Sequence, residues 1–139
     1  MIPRKAGALA PLLWLGAVHR HPAAIAGQWR GESICVKATW NAACNDERIV
    51  YDVVADSSAP GTALLHAAKI VGGRPEPMGD LDLQYRTADS TWFGDFSNSR
   101  VRIRWEYRVR GDSLTGRVFD RATGRVARAV RAARTSQRG

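Results

Sequence analysis

The chain has 139 residues, 45% of them hydrophobic, and carries 21 lysines and arginines against 13 acids. That length makes one domain with a single modest core, and two cysteines with His66, the one histidine beyond residue 26, fall short of a zinc set, so neither metal nor cofactor is expected. The formal charge of +8 is uneven: residues 27–99 hold six bases and ten acids, whereas residues 100–139 hold twelve bases and three acids.

At the amino terminus Arg4-Lys5 precedes the apolar run Ala6 to Val18, and Ala24-Ile25-Ala26 supplies small residues at a cleavage spacing. This reads as an export signal over 1–26, cleaved after Ala26, and places the protein in the periplasm or outside the cell. The apolar run is short for a permanent span and no later one serves, so no membrane span is expected. Cys35 and Cys44, the only cysteines of an exported chain, read as one disulfide.

From Gly27 the pattern is a succession of short strands between turn residues. Gln28 to Lys37 places Trp29, Gly31, Ser33 and Cys35 on one parity, and Glu47 to Ala55 places Ile49, Tyr51 and Val53 together. The connection between them holds Trp40. Thr62 to Val71 is read with Leu64, His66, Ala68 and Ile70 on one face. Gly72 to Gly79 contains Pro75, Pro77 and three glycines, and is expected as a loop because proline cannot donate to a ladder. Asp80 to Arg86 and Thr91 to Phe96 alternate again.

Arg100 to Arg110 reads R-V-R-I-R-W-E-Y-R-V-R, with Val101, Ile103, Trp105, Tyr107 and Val109 on one parity and only charged residues on the other. A period of two this strict is a strand with one buried and one wet face. Ser113 to Asp120 follows after the Gly111-Asp112 turn. Arg125 to Arg134 is ambiguous, since Val126, Ala129, Val130 and Ala133 sit at helical spacing. It is read as strand, because seven strands need an eighth to hide the sheet edges. Residues 135–139 are expected as a loose tail.

Eight strands with short turns predict an all-β fold, an up-and-down antiparallel barrel over 27–134. The inward set is Trp29, Ile49, Tyr51, Leu64, Leu81, Leu83, Tyr85, Trp92, Phe96, Ile103, Trp105 and Tyr107. So many aromatics leave little expected free volume.

Gly27-Gln28-Trp29, at the start of the first strand, resembles the lipocalin and wider calycin group. The resemblance implies a tryptophan closing one barrel end beneath an arginine from the last strand, here Arg131 or Arg134. A late T-D-x-Y element is lacking. The stretches Trp29 to Cys35, Cys44 to Glu47 and Lys69 to Gly73 also resemble small exported bacterial proteins of unassigned activity.

No phosphate loop, nucleophile elbow or metalloprotease motif is present, and His66 is read as a packed or rim residue, so no enzyme activity is expected. The arginine row lacks exposed stacking aromatics, so no nucleic-acid partner is expected either. The sequence is read as a non-enzymatic barrel for a small apolar or aromatic ligand, lined by Trp29, Tyr51, Tyr85, Trp92, Trp105 and Tyr107. The alternative is a module for a protein partner, such as a secreted protease inhibitor contacting it through Trp40, Pro75 and Met78. Small bacterial metalloprotease inhibitors share the G-x-W start and single disulfide, with wider cysteine spacing.

Overall fold

The computed structural model describes residues 24–36 and 44–136. Most of the expected export signal and Trp40 lie outside the described residues. Eight strands follow one another: β1 (Gly27–Cys35), β2 (Glu47–Ala55), β3 (Thr62–Val71), β4 (Arg74–Arg86), β5 (Thr91–Ser97), β6 (Arg102–Arg110), β7 (Ser113–Asp120) and β8 (Val126–Ser136). Each pairs antiparallel with the next, and β8 returns to β1 to close the barrel. The all-β, up-and-down architecture expected from the alternation is therefore present. The last segment is a strand, and it runs on so that Thr135 Oγ1 donates to the Gln28 carbonyl.

The core collects the inward parity of every strand. Trp29, Ile49, Tyr51, Val53, Leu65, Leu83, Trp92, Tyr107, Leu114 and Val130 are buried, with Ile103, Trp105 and Val109 packed against them. Burying this apolar set is the main favourable term in folding, at about 25 cal/mol per Å² removed from water. The arginine row of β6 forms the outer wall. Arg104 donates two hydrogen bonds to Asp95 at 2.7 and 2.9 Å. Arg86 reaches Asp89 and Glu106, and the guanidinium groups of Arg86 and Arg104 both stack on Phe93. The fork that Arg86 presents to Asp89 holds that carboxyl at about 2, below the usual carboxylate range.

Two expectations fail in the β3–β4 hairpin. Leu64 is not an inward residue: Ala63, Leu65 and Ala67 face the core instead. Both parities of this strand are apolar, so alternation alone does not choose between them. The choice comes from pairing, which sets Leu65 opposite Val53 and Ala67 opposite Tyr51. The stretch expected as a loop is the first half of β4, paired to β3 from Val71↔Arg74 through Ala68↔Pro77. Only Gly72 and Gly73 turn, with φ of 57° and 78°, as a two-residue hairpin turn of type I′ requires.

The prolines are tolerated for a geometric reason. In an antiparallel ladder, hydrogen-bonded and non-hydrogen-bonded pairs alternate. A two-residue turn closed by Val71 and Arg74 makes that pair and Lys69↔Glu76 the bonded ones. Pro75 and Pro77 fall between, with their nitrogens turned from β3. On that other side β4 pairs with β5 only from Gln84↔Phe93 to Arg86↔Thr91, so no ladder bond is lost.

Candidate functional site

The two ends of the barrel differ. At one end Trp29 is fully buried, and its indole N–H donates to the Ile25 carbonyl at 2.9 Å. Arg134, inward on β8, lies 4.2 Å above the Trp29 ring, donates to the carbonyls of Ala24 and Ala26, and sits 3.2 Å from Asp112. Guanidinium on indole is a favourable contact, and the two terminal nitrogens donate to backbone carbonyls, whereas the buried Nε beside Asp112 makes no hydrogen bond among the described residues. Ile25 fills the space beside Trp29. Tyr85 and Trp92 pack ring to ring at 5.2 Å in the same core. The choice between Arg131 and Arg134 thus falls on Arg134, while Arg131 is exposed on the opposite parity.

The other end is hollow. A cavity of about 440 Å³ is walled by Ile49, Leu65, Ala67, Leu81, Ile103 and Val118, with Tyr51, Trp105 and Tyr107 among its aromatic lining. Met78 and Phe96, 43% and 49% exposed, line its rim. The volume lies within the ordinary range for small-molecule sites, about 300–1,000 Å³. Free volume thus remains at this end despite the number of inward aromatics. Large aromatics crowd the closed end, whereas the hollow end is lined in part by Ser33, Ala67, Gly79 and Ala127.

Polar groups enter the cavity at two levels. At its depth the Tyr107 hydroxyl donates to the Tyr51 hydroxyl at 3.1 Å, the rings meeting edge-on with centroids 5.6 Å apart. Burial pushes the Tyr51 hydroxyl up to about 12 and drives Tyr107 well above its ordinary value, so both are neutral phenols near neutral pH. Glycine at 116 makes room for this pair, since a Cβ there would stand 2.6 Å from the Tyr107 ring. Nearer the rim Arg128, inward on β8, lies 3.6 Å from Glu47 and donates to Ser33 Oγ at 3.2 Å.

Of the aromatics expected to line a ligand site, Tyr51, Trp105 and Tyr107 face the cavity. Trp29, Tyr85 and Trp92 belong to the packed core and are absent from its lining. Pro75 and Met78 lie on strand β4 rather than on a contact loop, a correction that follows from the hairpin geometry, and Met78 faces the cavity rim. Glu47 and Arg128 were missed as site residues. Both share parity with inward neighbours, Glu47 with Ile49 and Tyr51 and Arg128 with Val130, and that signal was available. His66 lies on the outer face with Nδ1 2.6 Å from Asp80 Oδ1. Cys35 and Cys44 form the expected disulfide, with sulfurs 2.01 Å apart.

Among the described residues no cluster of three or more potential metal ligands occurs, and no helix is long and apolar enough to cross a membrane. No protein-family model matches the chain, and no curated protein matches it.

Proposed function

We propose that the protein is an exported binding barrel that takes up a small apolar or aromatic molecule in its interior and releases it chemically unchanged. The cavity of about 440 Å³ carries this reading, because its walls are mainly apolar side chains with few polar groups. The Trp29–Arg134 stack and the eight-strand closure support the lipocalin-like likeness. The disulfide supports an oxidising compartment, periplasmic or extracellular.

Equilibrium titration with fluorene, followed by tryptophan emission, tests the proposal. Trp105 stands in the cavity wall and reports occupancy. The reading expects a saturable response that is lost when Ala67→Phe fills the cavity. A flat titration, or one unchanged in the filled variant, overturns it.

A further inference from the structure

We propose that the occupant of the cavity carries a neutral hydrogen-bond acceptor, a ketone or quinone-type carbonyl on an aromatic body, and places it on the Tyr51–Tyr107 hydroxyl pair. This rests on the small-ligand reading above and names the ligand's chemistry.

The pair holds two hydroxyl protons and consumes one. The Tyr107 hydroxyl donates to Tyr51, and the Tyr51 proton has no acceptor among the described residues. Both residues line the cavity, and both are almost wholly buried, with Tyr51 4% and Tyr107 1% exposed. A phenol proton in such surroundings seeks an acceptor, and a buried donor left without one is costly. Trp105 adds aromatic surface to the lining for an aromatic body to pack on.

The charge pattern selects a neutral acceptor over an anionic one. Arg128 is the sole guanidinium in the lining among the described residues, and it is engaged by Glu47 and Ser33 near the rim. Glu47 adds a carboxylate to the same lining. An anion carried down to the tyrosines would leave water without a free countercharge and pass that carboxylate, which penalises it. A carbonyl loses little on leaving water and accepts the spare proton directly. A hydrocarbon of equal shape would fill the space but leave the proton unmet.

Three probes of one shape separate these outcomes: fluorenone, fluorene and fluorene-9-carboxylate, each titrated against the full chain by tryptophan emission. The expected order is fluorenone about tenfold tighter than fluorene, a difference of about 1.4 kcal/mol, with the carboxylate weakest. In the double variant Y51F/Y107F the preference for fluorenone over fluorene falls to near one. Replacing both hydroxyls by hydrogen keeps the ring shapes and leaves no orphan partner, so the variant should fold. If it does not, the carbonyl stretch of bound fluorenone in the wild type provides a second route: it should lie at lower wavenumber than in an apolar solvent, and an unshifted stretch overturns the inference. Equal affinities of ketone and hydrocarbon overturn this inference and leave the binding reading intact. Tighter binding of the carboxylate also overturns it. If no probe binds, both fall.

Discussion

Arg134 joins more of the closed end than any other side chain, stacking on Trp29 while donating to carbonyls that precede β1. Its planar fork satisfies these partners together, which an ammonium cannot do. Arg134→Lys should therefore lose about 1–3 kcal/mol, read as a fall in Tm of roughly 4 °C or more per kcal/mol in thermal unfolding. An unchanged Tm would show that the stack is ornamental. Gly116 has the opposite sensitivity. Gly116→Ala puts a methyl 2.6 Å from the Tyr107 ring, and overpacking of this kind costs about 1–3 kcal/mol. Its more telling effect is on the cavity: the displaced Tyr107 should weaken ligand titrations in proportion. Neither role was written in residue type alone. The G-x-W resemblance pointed to an arginine, but the parity of β8 was needed to choose between Arg131 and Arg134.

At the scale of elements, the strictest alternation proved the most legible. Arg100–Arg110 contains β6 with the expected inner and outer rows, and its charged row is the wall on which Arg104 meets Asp95. The β3–β4 hairpin was less legible because two general rules met their exceptions. Apolar residues on both parities of β3 hid its facing, and the prolines of β4 look like breakers until the open edge beside them is known. That edge has a consequence. Pro75 and Pro77 leave the free side of β4 with fewer donors, one of the ways an exposed edge avoids pairing with another chain. The double variant P75V/P77V restores two N–H groups to that edge. It should associate at lower concentration than the wild type in sedimentation velocity, with cavity binding little changed. Identical sedimentation would show that the prolines do not guard the edge.

For the whole molecule, the barrel closure was readable from strand number and parity, whereas the hollow end was not. Free volume depends on how large and small residues sort along the barrel axis, and that sorting emerges only from register. The buried tyrosines also set an alkaline limit. Tyr51 is raised by burial from the ordinary 10 to about 12, and Tyr107 is raised well above its ordinary value by the same cause. Stability is then fully present below pH 10 and declines between pH 10 and 12, as the unfolded chain ionises and the folded one does not. The slope approaches roughly 1.4 kcal/mol per pH unit for each tyrosine, and Y51F/Y107F should flatten it in urea unfolding across that range. At the amino-terminal side, Ile25 is 1% exposed and residues 24–26 accept bonds from Trp29 and Arg134. A chain beginning at Gly27, the start that cleavage after Ala26 leaves, should be less stable than one beginning at Ala24 by about 2–5 kcal/mol, the usual range for removing a buried isoleucine side chain. Equal melting of the two would show that Ile25 fills no needed space.

The most direct test of the binding account is the position of a heavy atom. In crystals grown with 2-bromofluorene, the account predicts an anomalous bromine peak inside the barrel, among Ile49, Tyr51, Leu65 and Trp105. A peak only on the outer wall, or an interior closed over by Met78 and Phe96 with no bromine in it, would contradict it.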